Sequence, residues 1–231
     1  MAVFSTAVKN RADEILRILR STLQVRAGDF ASLVVNEESH DPFRVLIVII
    51  LSQSCTDIAA IKAYRTLEEQ IGITVNTLAH ANIREISNSI RSAGLQRQKS
   101  KALRQLARII SQKYTGDLSE ILHKPVSDAR DELQTLPKVG PKTADVLLSV
   151  YGKPTISVDT HVERVSKRLA LTHPKAKYEK IRADLMQLFD LNDYGNVPLL
   201  FMAHGRKYCK AIGPLCATCP VRQLCPYAAK T

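Results

Sequence analysis

Leu136-Pro137-Lys138-Val139-Gly140-Pro141-Lys142-Thr143-Ala144 separates two stretches of helical periodicity, and its reading decides the fold. Pro137 and Gly140 interrupt the first helix. Pro141 suits the first turn of the second, where its missing N–H costs nothing. Val139-Gly140 is therefore expected to be a tight hairpin between two helices, the second starting at about Pro141. Free backbone N–H groups at that helix start can bind a phosphate, and Lys142 stands on the same turn. The hairpin reads as a grip on a nucleic-acid backbone, with Lys142 placed for chemistry beside it.

The rest of the chain suits such a partner. Its 231 residues suffice for one large domain or two smaller ones. An apolar fraction of 45% and a charged fraction of 24% are ordinary for a globular protein. A formal net charge of +11 is not, and it favours polyanions, nucleic acid first. The longest apolar run, residues 45–51, is too short to cross a bilayer, and Met1-Ala2-Val3-Phe4-Ser5 lacks the layout of a signal peptide. No membrane partner is expected. Four of the five cysteines crowd the end of the chain, which is no disulfide framework, so an intracellular setting is expected (cytoplasm or nucleoid in a prokaryote).

Taken in order, residues 8–25 form an amphipathic helix on Ala12, Ile15, Leu16, Leu19 and Leu23. A polar connection over residues 36–42 leads to the apolar run 45–51. That run has strand-like β-branched content but no second strand to pair with, so it reads as a buried helix. Thr56 or Asp57 caps the next helix, to about Glu69. Residues 82–93 form a further helix, stopped by Gly94. A basic loop, residues 95–99, then leads into a helix ending near Tyr114. Residues 91–108 hold six basic side chains and no acidic one, which is a solvated face or a phosphate contact in about equal measure. After a connector over residues 117–125, Ser127 caps a helix to Thr135. The helix beyond the hairpin runs to about Tyr151, and Asp159 or Thr160 starts another through Leu169. Helices at about 178–189 and 197–204 follow. The class is all-α.

Cys209-x6-Cys216-x2-Cys219-x5-Cys225 points to a metal centre. Tetrahedral zinc and a [4Fe–4S] cluster are both open. The single Cys-x-x-Cys pair and the wider remaining spacings lean towards the cluster. Cys55, far away, reads as a small buried apolar residue. A lysine at a helix start is ordinarily a solvated charge. The dipole there disfavours its ammonium, and a neutral lysine can act as a nucleophile. Asp159 is first of all a good N-cap, and a carboxylate there can also face a reaction centre. His161 reads as a packed or hydrogen-bonded residue.

Residues 136–144 resemble the helix–hairpin–helix of endonuclease III-type DNA glycosylases. Pro154-Thr155-Ile156-Ser157-Val158-Asp159-Thr160-His161-Val162 looks like the segment holding their catalytic aspartate, and His204-Gly205-Arg206 with the four cysteines is similar to their iron–sulfur loop. The likeness spans about residues 42–225. It implies two helical domains flanking a DNA-binding cleft: six helices over 42–152, and a terminal domain of 1–41 and 153–231 holding a [4Fe–4S] cluster on Cys209, Cys216, Cys219 and Cys225. It implies that Lys142 attacks C1′ of a damaged nucleoside, that Asp159 assists, and that the resulting Schiff base undergoes β-elimination. Lys138, Val139, Gly140, Lys142 and Thr143 are then DNA-contacting. Leu95 matches the residue that wedges into the duplex, and Gln53 is a candidate to fill the gap left by the flipped base. The expected partner is double-stranded DNA with damaged bases or abasic sites, bound by a monomer. Lys142 favours the bifunctional branch, since adenine and several mismatch thymine glycosylases have Ser or Tyr there. The end of the chain six residues after Cys225 is expected to mean that the adenine enzymes' extra domain is missing. The rivals are a glycosylase for G·T or G·U mismatches on the same scaffold, a non-catalytic DNA-binding protein, and a zinc-stabilised RNA-binding protein.

Overall fold

The computed structural model describes residues 4–230 and is all-α: thirteen α-helices joined by short 3₁₀ turns, with no strand among the described residues. The first four are α1 (Thr6–Thr22), α2 (Ala31–Ser39), α3 (Pro42–Ser52) and α4 (Asp57–Gln70). Then come α5 (Val75–His80), α6 (Ile83–Ser89), α7 (Gln96–Lys113), α8 (Ser119–His123) and α9 (Val126–Leu133). The last four are α10 (Pro141–Val150), α11 (Thr160–Arg168), α12 (Tyr178–Leu188) and α13 (Asn196–Lys207). The chain divides into two compact units, residues 26–153, and residues 1–25 with 154–231.

The 26–153 unit is built around α3. Asp41 caps this helix, accepting from the Phe43 N–H at 2.8 Å, and Pro42 occupies its first turn. Phe43 and every residue from Val45 to Leu51 are buried. A helix apolar on all faces can only be central, and α2, α4 and α10 pack against it. The strand-like run is therefore a helix because neighbouring helices cover all its sides.

Three expectations need correction. Residues 26–41 group with the 26–153 unit and not with the termini, because Ala31 and Val35 of α2 belong to its core. Residues 42–152 hold eight α-helices, not six, since α5 forms in a stretch given no element and α8 where a connector was expected. Of the two cap candidates for α4, Thr56 fills the position as expected, and Asp57 instead accepts the Ala31 N–H at 3.2 Å at the start of α2. Ser127 lies inside α9, which begins after Pro125.

In the other unit, α1 contributes Ala12, Ile15, Leu16 and Leu19 to a core shared with α11, α12 and α13. Ile156 and Val158, in the extended stretch before α11, are buried in the same core.

Candidate active site and cysteine centre

The hairpin lies between α9 and α10, which are fastened by a buried ion pair. Arg130 Nε of α9 donates to both carboxylate oxygens of Asp145 on α10, at 3.0 and 3.1 Å. Within the turn, Val139 N–H donates to Leu136 O at 3.1 Å. The residue in the left-handed region is Lys138 (φ +63°), not Gly140, which is extended and acts as N-cap of α10. A Cβ added at Gly140 would meet no protein atom within 4 Å. Its missing side chain is therefore not explained by the protein's own packing. Such bare backbone at a helix start suits close approach of an anion.

Lys138, Gly140 and Lys142 are exposed. The Val139 and Thr143 side chains are buried, so a contact from these two to a partner runs through backbone. Thr143 Oγ1 accepts from Gln53 Nε2 at 3.1 Å, and the same amide donates to Lys138 O at 2.9 Å. Gln53 thus braces the hairpin from α3's end. The dipole at α10's start acts on Lys142, which is on its first turn.

Leu95 precedes α7 with its backbone left-handed (φ +48°) and its side chain 50% exposed. A leucine held in this region costs about 1–2 kcal/mol, so its place there is not one of helix preference. The expected basic loop over residues 95–99 is instead the first turn of α7. Lys99, grouped by sequence with a solvated or phosphate-facing run, is 1% exposed. A signal was available: Lys99, Ala102, Leu103, Leu106 and Ile110 share one helical stripe. Cys55 is half-buried; its thiol donates to Leu51 O, and burial pushes its pKa up.

In the other unit, Asp159 is the N-cap of α11: its Oδ1 accepts the Val162 N–H at 2.7 Å, leaving Oδ2 outside the cap. His161 is packed and hydrogen-bonded, as its sequence setting suggests. Its Nδ1 accepts from Arg164 Nη2 at 3.0 Å. A Cβ at Gly205 would stand 2.9 Å from His161 Cβ and Nδ1, so only glycine allows α13 to approach so closely. Burial lowers the His161 pKa, and Asp159 opposes that shift. Arg164 also donates to Gly205 O and Cys209 O, joining α11 to the cysteine loop.

Cys209, Cys216, Cys219 and Cys225 line one cavity of about 320 Å³, part of it open to solvent, together with His204 and Tyr227. All four are free thiols. Burial raises the Cys219 pKa, and the other three cysteines raise it further. Four thiolates so arranged repel one another unless a cation sits among them, which fits a metal centre. Arg168 Nη1 points at Cys209 Sγ at 3.4 Å, a donor suited to a ligated sulfur, and its guanidinium lies over the Tyr227 ring at 4.4 Å. Among the described residues no three His, Cys, Asp or Glu side chains converge tightly enough for a single ion. The thiols surround the cavity instead of meeting at a point.

No described helix is long and apolar enough to cross a membrane. Residues 47–190 match the family model of HhH-GPD superfamily base excision DNA repair proteins. The chain is 33% identical to endonuclease III of Sulfolobus acidocaldarius over 218 residues, 94% of this chain and 96% of that one. It is 37% identical to endonuclease III of Bacillus subtilis over 186 residues, 80% and 81% of the two chains. Its fold is similar to a solved trapped endonuclease III–DNA covalent intermediate, with a TM-score of 0.79, 32% identity, and 96% and 97% of the two chains covered. With relatives of this kind matched along nearly the whole chain, it belongs to the HhH-GPD superfamily of base excision DNA repair proteins, as an endonuclease III-type DNA glycosylase/AP lyase.

Proposed function

We propose that this enzyme removes oxidised pyrimidines from double-stranded DNA and cuts the strand 3′ to the abasic site, with Lys142 as nucleophile and Asp159 as its assistant. Lys142 Nζ attacks C1′ of the flipped nucleoside. The C1′–N bond breaks, and the base leaves with that electron pair and takes up a proton. The amine–sugar adduct opens to an imine. Loss of a C2′ proton then expels the 3′ phosphate by β-elimination, and water releases the lysine. An amine can follow this route and a hydroxyl cannot, because only nitrogen forms the imine. The observation that carries the reading is the exposed Lys142 two residues beyond Gly140, whose open backbone can seat a phosphate. Asp159 Oδ2, outside its cap, is available to accept a proton or to stabilise positive charge on the sugar.

Gln53 and Leu95 act on the duplex, Leu95 as the wedge and Gln53 in the space the base leaves. The exposed, left-handed leucine supports the first role. The Gln53 amide, tied to the hairpin, must exchange those bonds to fill the second. A [4Fe–4S] cluster belongs to Cys209, Cys216, Cys219 and Cys225, and when bound it cross-links the tail and neutralises the thiolates. The protein works as a monomer inside the cell.

Matched duplexes carrying thymine glycol, 8-oxoguanine, G·T or G·U test the reading. Thymine glycol is expected to be excised fastest, with the strand cut and an unsaturated sugar left on the 3′ end. Faster excision at G·T or G·U, with the strand left whole, moves the assignment to a mismatch glycosylase.

A further inference from the structure

The Lys99 ammonium is buried, and no carboxylate pairs with it among the described residues. Its three protons go to three backbone carbonyls: Leu51 O at 2.7 Å, Gln53 O at 2.7 Å and Ala93 O at 2.8 Å. Leu51 lies in the last turn of α3, and Ala93 ends the 3₁₀ turn before Gly94 and Leu95. Both carbonyls are at the negative ends of helical turns, where a cation is favoured. The Lys99 backbone N–H also donates to Leu95 O at 3.0 Å. One residue therefore holds the chain on either side of Leu95 and, through its ammonium, the Gln53 backbone as well.

The arrangement costs energy. Burying an ammonium without a counter-ion is unfavourable until hydrogen bonds replace its lost hydration, and burial pushes the Lys99 pKa down. A methionine would fill the same volume without that cost. What methionine lacks is a three-proton clamp on two loops that belong to different elements. Each loop is also held away from helical preference, with Ser54 at φ +60° beside Gln53 and Leu95 at φ +48°. Such backbones persist only where surrounding contacts over-determine them.

We infer that Lys99 is the positioning residue for base extrusion: its ammonium fixes the Gln53 loop and the Leu95 loop in mutual register, so that wedge and gap-filler enter the duplex together. Lys99 touches neither DNA nor the reacting atoms. The inference rests on the DNA roles proposed above for Gln53 and Leu95.

The test is Lys99→Met on two duplexes. With thymine glycol opposite adenine, the variant is expected to keep KM within about twofold and to lose at least about tenfold in kcat. With the same lesion opposite an abasic site, where extrusion is cheapest, the loss should shrink to about threefold or less. A variant that is merely misfolded loses equally on both duplexes. Equal losses in a variant that melts like wild type, or no loss on either duplex, overturn the inference. Should Lys99→Met fail to fold, wild type labelled with ¹⁵N-lysine supplies a second measurement. One ammonium signal should be protected from exchange at neutral pH, and it should shift on adding the lesion duplex but not the undamaged one. No protected signal, or the same shift with both duplexes, overturns it too. Failure of the underlying reading shows separately, as a wild type that excises from neither lesion duplex.

Discussion

Gly140 lacks a side chain at a point where the protein has room for one. It is also the N-cap of α10, a position that aspartate fills well because its carboxylate accepts the orphan N–H groups of the first turn. Gly140→Asp therefore separates folding from binding. Thermal unfolding should stay unchanged or shift upward. Affinity for duplex DNA, read by fluorescence anisotropy, should fall about tenfold or more, because a carboxylate replaces the bare backbone offered to a phosphate. Phosphate contacts carry no sequence information, so damaged and undamaged duplexes should lose alike. A loss confined to one lesion would mean that the hairpin reads bases. Most of this site could be read from residue types and spacing: Pro141 after Gly140, Asp159 before a helical run, four clustered cysteines. What could not be read is which backbone turns left-handed. Lys138 takes that conformation, held by the Gln53 amide on its carbonyl from a residue 85 positions away.

Helix α11 joins the proposed catalytic aspartate to the cysteine loop. Asp159 caps its start, His161 lies under Gly205, and Arg164 reaches the carbonyls of Gly205 and Cys209. Burial holds the His161 pKa below its ordinary 6.5, so the folded protein binds fewer protons there than the unfolded chain. Stability from this group is then present in full above about pH 6.5 and declines as the pH falls below that value. His161→Gln keeps an acceptor for Arg164 but cannot titrate. Its melting temperature should fall less than that of wild type between about pH 7.5 and pH 5.5. His204, pushed down to about 4 by burial, adds a slope of the same sign that remains in the variant. Equal falls in both proteins would show that His161 is not a source of the dependence. At this scale the long helices were legible and the short ones were not. Residues 45–51 read as a buried helix, despite their β-branched content, because no second strand exists to pair with them. By contrast α5 and α8 have six and five residues, too few for periodicity to show. For α5 the Thr74–Thr77 capping box was the available signal.

Across the whole molecule, the candidate residues divide between the two units. Residues 26–153 carry the hairpin, Lys142, Gln53 and Leu95, and the other unit carries Asp159 and the four cysteines. The resemblance implied a boundary between residues 152 and 153, and the chain divides after Lys153, where Gly152-Lys153-Pro154 ends a helix. The same resemblance put the first boundary sixteen residues late, because α2 has too weak an apolar face to reveal that it packs on α3. The basic balance of +11 was legible in composition, although Lys99, one of the charges counted, faces inward. The central claim is that Lys142 forms a covalent imine with the sugar. Borohydride added to the enzyme on a thymine glycol duplex should trap a protein–DNA adduct that maps to Lys142. Lys142→Ala should give no adduct and no strand cleavage while still binding the duplex. An adduct formed by Lys142→Ala at the wild-type rate, or strand cleavage undiminished, would contradict it.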